Sequence, residues 1–302
     1  MIPADTFLAI VNPAAGGGRG RKLVGPAVER LRSGGLKVEI AETTASGSGT
    51  EITREACRKG YRRFIAVGGD GTSYEIVNGL FPQAQPGEPP TLGFLPLGTG
   101  NSFLRDFSDR GVEHALEALL AGRSRPCDVL RLRHSSGVIH YINLLSMGFA
   151  ADVATLRARR FSGWGELGYQ ASIFISLARF RRRPFPLRLD SDETPDARPC
   201  LFLSFNNSKY TGGTMMIAPR AETDDGLIEY VRWGPIGRLG LIRNLPTLYD
   251  GTHTSHPLAE RRAARRIEFA LEAPVDVMVD GEVLTLQCQT LDVLPSVLRV
   301  VV

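Results

Sequence analysis

Three times in its first hundred residues the chain runs a short apolar segment into a glycine loop and then into helical spacing. Phe7 to Val11 leads into Asn12-Pro13 and Gly16-Gly17-Gly18, with a helical pattern over Arg21–Arg32. Arg63 to Val67 leads into Gly68-Gly69-Asp70-Gly71-Thr72, with a helix over Ser73–Leu80. Thr91 to Leu95 leads into Leu97-Gly98-Thr99-Gly100-Asn101, with a helix over Gly111–Leu120. Leu36 to Ile40 reads as a further strand and Thr50–Lys59 as a further helix. Strands that alternate with helices form a mainly parallel sheet covered on both faces. Such a sheet binds ligands at the carboxyl ends of its strands, so the three loops are expected to converge on one crevice. Glycine lets backbone approach phosphate without a Cβ clash, and a helix start offers free N–H groups to an anion.

The pattern changes after Asp128. Segments 129–133, 138–145, 187–190, 201–206, 226–232, 266–270, 274–279 and 284–288 read as strands punctuated by turns. Few helical stretches intervene, at 151–160, 168–180 and 239–248. The expectation is a nucleotide-binding α/β domain over 1–127 and a β-rich, antiparallel, sandwich-like domain over 128–302. The last strand, about 291–302, is allowed to return to the first domain.

Composition removes several classes. Hydrophobic residues make up 43% and charged residues 23%, the balance of a folded globular protein. Cys57, Cys127, Cys200 and Cys288 lie far apart without a CxxC pair, which argues against a zinc site or a disulfide framework. The five histidines have no ligand spacing, and neither HExxH nor GxSxG occurs. No apolar run reaches the ~20 residues of a membrane span, and Met1 to Val11 has no signal-peptide pattern, so a cytoplasmic protein is expected. The net charge is +4, with seven arginines between Arg157 and Arg183. The same stretch carries Trp164, Leu167, Tyr169, Ile173, Phe174 and Phe180 ahead of Arg181-Arg182-Arg183. An apolar face with a basic rim suits a membrane interface; core packing and a solvated helix face are the bland alternatives.

Asp70 is unsuited to bare phosphate, and its carboxylate points to Mg²⁺, directly or through water; a tight turn with an N-capping Asp is the competing reading. Asp280-Gly281-Glu282 follows the strand Val277–Val279. A carboxylate there can accept the proton of an attacking alcohol, while Asp-Gly alone is a common hairpin turn. Asp224-Asp225-Gly226 is either a turn or an oxygen-rich metal site.

These motifs resemble the diacylglycerol kinase catalytic family, with the bacterial soluble lipid kinases and the sphingosine and ceramide kinases. The resemblance spans nearly the whole chain: the Asn12-Pro13 loop, GGDGT with Glu75, Val77, Asn78, Gly79 and Leu80, Pro96 to Asn101, NLLSMGFAAD at 143–152, the stretch 211–226, and Asp280-Gly281-Glu282. It implies ATP and Mg²⁺. Asn12, Gly16, Gly17, Thr43, Thr44, Gly68, Gly69, Asp70, Gly71, Thr72, Asn78, Gly98, Thr99 and Asn101 would hold nucleotide. Asp70 and Asp128 would organise the catalytic metal, and Asp225 with the carbonyls of Glu222 and Leu227 a structural one. Asp280 would be the base, with Glu282 beside it. Many bacterial members carry Asn-Asp-Phe where this chain has Asn101-Ser102-Phe103, which puts the metal geometry in question; Asp106 lies one turn on. The implied activity is transfer of the ATP γ-phosphate to a lipid hydroxyl, diacylglycerol first and a sphingoid base or another lipid alcohol next. NAD kinase, which shares GGDGT, and a non-catalytic lipid- or nucleotide-binding regulator are the other readings. The implied partner is lipid at a membrane surface met peripherally, with no nucleic acid; a homodimer is compatible.

Overall fold

The computed structural model describes residues 5–18, 20–81, 88–98, 101–161, 171–172, 175–179 and 182–302. Expectations for Arg19, residues 82–87, Thr99, Gly100, Trp164, Leu167, Tyr169, Ile173, Phe174, Phe180 and Arg181 lie outside the described residues. So do the side chains of Arg21 and Lys22, which with Arg19 are the candidates in the sequence to supply charge to the first glycine loop. The chain divides into two compact units, one of Met1–Val129, His140–Ile142 and Leu294–Val302, the other of Leu130–Ile139 and Asn143–Val293.

In the first unit four strands lie parallel: β1 (Phe7–Val11), β2 (Val38–Glu42), β3 (Arg63–Gly68) and β4 (Thr91–Pro96). Their order is β2-β1-β3-β4, and Arg299 and Val300 at the end of the chain add a parallel neighbour beside β4. Alternation along each strand sorts its side chains onto two faces. Ala9, Val11, Ile65, Val67 and Leu95 pack with α1 (Gly20–Ser33) and α4 (Gly111–Leu120). Leu8, Ile10, Phe64, Ala66, Leu92 and Phe94 pack with α2 (Ser48–Arg58) and α3 (Asp70–Leu80). Each buried Val, Leu, Ile or Phe side chain among them is worth roughly 1.5–3 kcal/mol. The connection after β1 leads to β2 on one side, and that after β3 leads to β4 on the other. The neighbours β1 and β3 therefore flank the topological switch point, where a ligand crevice is expected.

Helix α3 starts at Asp70 itself, three residues before the apolar spacing places it. β5 (Ser124–His134) and β6 (Gly137–Tyr141) follow. The apolar run 138–145 is not one strand. It breaks at Ile142 and Asn143, and β7 (Leu144–Gly148) begins anew. Helix α5 (Phe149–Arg160) follows β7.

The second unit adds β8 (Leu187–Leu189), β9 (Phe202–Asn206), the two-residue strands β10 (Tyr210–Thr211) and β11 (Met215–Met216), and β12 (Ile228–Trp233). It continues with β13 (Ala259–Ala264), β14 (Arg266–Phe269), β15 (Val275–Val279), β16 (Glu282–Leu286) and β17 (Cys288–Val301), whose end lies in the first unit. Six of these strands form an antiparallel sheet in the order β13-β12-β9-β7-β15-β16. β13 has the sequence AERRAA, an edge strand with small and charged side chains and no apolar alternation to announce it. β17 begins at Cys288, ahead of the expected start near 291, and carries Pro295 within it.

Candidate active site

The three glycine loops meet within the first unit. The Asn12 N–H donates to the Val67 carbonyl at 3.0 Å, joining the ends of β1 and β3. The Asn12 side chain accepts the Ala14 N–H at 3.0 Å and shapes the first loop. The Gly98 N–H donates to the Gly68 carbonyl at 2.9 Å, joining the second and third loops. A Cβ on Gly98 would lie 2.7 Å from the Gly69 nitrogen, and one on Gly16 would lie 2.6 Å from the Leu97 carbonyl oxygen. These glycines are required by backbone-to-backbone contact. The Asn101 amide closes the third loop on the Gly98 carbonyl at 3.0 Å.

Gly69, Asp70 and Gly71 open α3, where helical N–H groups have no intrahelical acceptor and the dipole is positive. The Thr72 Oγ is buried there with no hydrogen-bond partner among the described residues. A cavity of about 10 Å³, room for one water, is bounded by Gly68, Asp70, Ser73 and Asn101. An anion at the helix start, an orphan hydroxyl donor and an adjacent water site fit nucleotide phosphate. Asp70 fits Mg²⁺, which binds through one or two carboxylates plus phosphate oxygens and waters. Both Asp70 oxygens accept the Ser102 N–H, at 3.0 and 3.1 Å. Burial pushes the Asp70 carboxyl above its ordinary range, against the pull of hydrogen bonds from Ser102 and the Phe103 N–H. Ser102, which brings no charge, serves here as a donor to Asp70.

Other residues named from the sequence have definite places. The Thr43 N–H donates to the Val11 carbonyl at 2.8 Å, and the Thr44 N–H to the Ser48 hydroxyl at 3.1 Å. That loop is fixed by Glu75, whose carboxylate accepts the Gly47 and Gly49 N–H groups at 2.7 Å each. Asn78 clasps the His140 peptide, donating to its carbonyl at 2.8 Å and accepting its N–H at 2.9 Å. Asp128 is fully buried and accepts the Ser296 N–H at 2.7 Å, which anchors the chain's return. In the second unit, Asp225 accepts the Leu227 N–H at 2.9 Å, and Glu222 lies just ahead of the turn at 223–224.

Asp280 and Gly281 have φ +46 and +88 and join β15 to β16 by a two-residue hairpin. Two positive φ values are the type I′ pattern that Asp-Gly favours. The hairpin reading of the backbone is correct, yet the side chain does more than turn. Asp280 is 3% exposed, and its Oδ1 accepts the N–H groups of Asn143 (3.1 Å) and Leu144 (2.9 Å). Its own N–H donates to the Leu144 carbonyl at 3.0 Å. Asn143 is held in turn: its carbonyl accepts the Asn207 N–H at 2.8 Å, and its side chain accepts the Ser208 hydroxyl. This clamp explains the break at Asn143. Glu282 is exposed at the start of β16, opposite Val279 in register. The Asn143–Ser208 support had no signal in the sequence, because its parts lie 65 residues apart.

The model of the diacylglycerol kinase catalytic domain matches residues 6–132, and that of the YegS C-terminal NAD kinase beta sandwich-like domain matches residues 143–302. The chain belongs to the diacylglycerol kinase-like lipid kinases. A probable YegS-like lipid kinase of Chromohalobacter salexigens is 31% identical over 260 residues, covering 85% of this chain and 81% of that protein. A diacylglycerol kinase of Mycobacterium tuberculosis is 28% identical over 279 residues, covering 91% and 87%. The fold is shared with the crystal structure of a diacylglycerol kinase from Bacillus anthracis, with a TM-score of 0.71 at 20% identity over 98% and 96% of the chains. Both expected fold classes, α/β and antiparallel β-sandwich, stand. This lipid kinase therefore takes ATP as its phosphoryl donor, and no helix among its described residues is long and apolar enough to cross a membrane.

Proposed function

We propose that this lipid kinase phosphorylates diacylglycerol to phosphatidic acid, at a membrane surface that it meets peripherally. The observation that carries the reading is Asp280, a buried carboxylate fixed by two backbone N–H groups at the family's Asp-Gly-Glu position. The name of the Mycobacterium relative supports diacylglycerol as the acceptor.

In this reading the backbone of Gly16, Gly68 to Gly71 and Gly98 cradles the donor's phosphates, and Thr72 adds its hydroxyl. Asp70 holds Mg²⁺, with Asp128 in support; when bound, the ion would neutralise charge on the phosphates. Asp280 accepts the proton as the lipid hydroxyl attacks the γ-phosphorus, the bond from that phosphorus to the β,γ-bridging oxygen breaks and ADP leaves; Asn143 keeps the Asp280 carboxylate in one orientation. Phosphoryl transfer asks little more of the protein than position and charge. Asp225, with the Glu222 and Leu227 carbonyls, is a second candidate for Mg²⁺.

The test is γ-phosphate transfer from ATP to mixed-micelle diacylglycerol, sphingoid bases, other lipid alcohols and NAD. Transfer to diacylglycerol that is lost in Asp280→Asn is the expected result. Preference for another lipid would replace the acceptor. ATP binding with no transfer to any acceptor would replace the catalytic reading itself.

A further inference from the structure

The second unit holds a group of charges that phosphoryl transfer does not use. A pocket of about 330 Å³ is lined by Asp152, Thr155, Arg159, Arg160, Arg179 and Asp276, among others. One of its carboxylates is already neutralised: Arg183 donates to Asp152 at 2.6 Å. Asp276 accepts the Thr285 hydroxyl at 2.6 Å. Arg159, Arg160 and Arg179 have no ion-pair partner among the described residues. Against Asp276 they leave an excess of two positive charges in one concavity. Thr155 is 7% exposed, and its Oγ is buried with no hydrogen-bond partner among the described residues.

Arginines at the C-terminal end of α5 are favoured by the helix dipole. That accounts for Arg159 and Arg160. Arg179 likewise ends a helical stretch, over 175–178, but the dipole does not account for its lining one pocket with Arg159 and Arg160, nor for a buried hydroxyl with no hydrogen-bond partner among the described residues. Guanidinium forks match phosphate oxygens two at a time, and a desolvated hydroxyl gains by donating to one. Asp276 repels a bare dianion but welcomes a ligand with a hydroxyl or an acidic proton to give.

We propose that this pocket is a binding site for a phosphate ester, held by Arg159, Arg160 and Arg179 with Thr155 as a further donor. The proposal does not depend on which alcohol the enzyme phosphorylates. The phosphate can arrive on a lipid headgroup or on a soluble ester, and the two sources are separable.

The full chain, without nucleotide, would be titrated calorimetrically with glycerol 3-phosphate. It would also be sedimented with phosphatidylcholine vesicles, with and without phosphatidic acid. Arg159→Gln/Arg160→Gln/Arg179→Gln is expected to weaken binding about tenfold or more, and Thr155→Val about threefold, since hydrogen bonds to charged groups are the strong ones. Loss confined to phosphatidic acid vesicles assigns the site to a lipid headgroup; loss of glycerol 3-phosphate as well assigns it to the ester itself. Wild-type protein that binds neither probe overturns the proposal. So does a triple variant that binds both probes as wild type does, because the phosphate is then held elsewhere, for example at the glycine loops. If the triple variant fails to fold, Thr155→Val and Arg179→Gln alone carry the test.

Discussion

Asp70 and Asp280 are the two carboxylates on which the proposed chemistry rests, and their surroundings differ. Asp70 opens a helix behind two glycines, and its hydrogen-bond donors, Ser102 and Phe103, come from the third loop of the same unit, 32 residues and more along the chain. Burial there penalises its charge and raises its carboxyl, with one peptide N–H shared between its two oxygens. Asp280 is set by residues 136 and 137 positions away, whose two N–H groups converge on a single oxygen. The first is a carboxylate whose charge burial disfavours, and in the proposed reading a cation would relieve it. The second is a charge held at a fixed angle, as a proton acceptor requires. A phosphoryl-transfer enzyme needs both kinds.

Asparagine at each position breaks the comparison most strongly. Asp280→Asn keeps an oxygen for the Asn143 and Leu144 N–H groups, so the hairpin is expected to survive with Tm nearly unchanged. Its kcat should fall about 10³-fold, within the range for loss of a positioned acid–base group, while ATP affinity changes little. A variant with wild-type kcat would reduce Asp280 to a turn residue. Asp70→Asn is expected to lose activity as well, and to become more stable. In the wild type the folded carboxyl keeps its proton to higher pH than the unfolded one, whose ordinary value is 3.8. As pH rises from 3.8 through the raised value, the unfolded chain has released a proton that the folded one still holds. Stability is therefore lost across that window and stays lower above it. The variant has no such loss, so its advantage in Tm should grow as pH rises above 3.8 through the raised value. An advantage that is absent at neutral pH would show that burial does not strain Asp70.

The glycines sharpen the same contrast. A Cβ at Gly98 meets the Gly69 backbone at 2.7 Å, whereas one at Gly281 meets nothing within 4 Å and faces only the cost of φ +88. Gly98→Ala should cost about 1–3 kcal/mol through backbone displacement and should abolish ATP binding first. Gly281→Ala should cost about 1 kcal/mol and leave ATP binding alone. Denaturant unfolding with nucleotide titration of both variants checks the order; the reverse order would mean that the loops do not depend on close approach.

What could be read in the sequence follows the same division. The strand–glycine–helix units, their parallel sheet and the meeting of three loops come from patterns a few residues long, so local propensity and handed crossovers specify them. β13 escaped because an edge strand needs no apolar alternation, and the break at Asn143 escaped because the apolar run continues through it. The Asp280 hairpin was legible as a turn. Its inward carboxylate was not, since only the pairing of β15 with β7 brings Asn143 and Leu144 to it. Glu75 stood in plain view within the motif. Its task, capping the loop before α2, depends on α2 and α3 packing so closely that a Cβ on Gly79 would lie 2.4 Å from Thr53.

Ser102 offers the finest test of the Asp70 environment. In this chain it gives Asp70 a peptide N–H and a hydroxyl, and a hydroxyl donor does for one carboxylate part of what a cation would do for two. Ser102→Asp would remove the hydroxyl and set a second carboxylate against the first. Two like charges at that distance either share a proton or need a metal between them. The variant should therefore be less stable than wild type at neutral pH without metal, and Mg²⁺ alone should restore it. A restoring gain of about 1 kcal/mol corresponds to about 1.5–2 °C in Tm for a protein of this size. Wild type, with its single carboxylate already hydrogen-bonded, should respond less to Mg²⁺ in the absence of nucleotide. Equal and negligible Mg²⁺ responses in the two proteins would remove the cation from Asp70; a larger response in Ser102→Asp would place it there and show that the serine trades metal affinity for stability in the nucleotide-free enzyme.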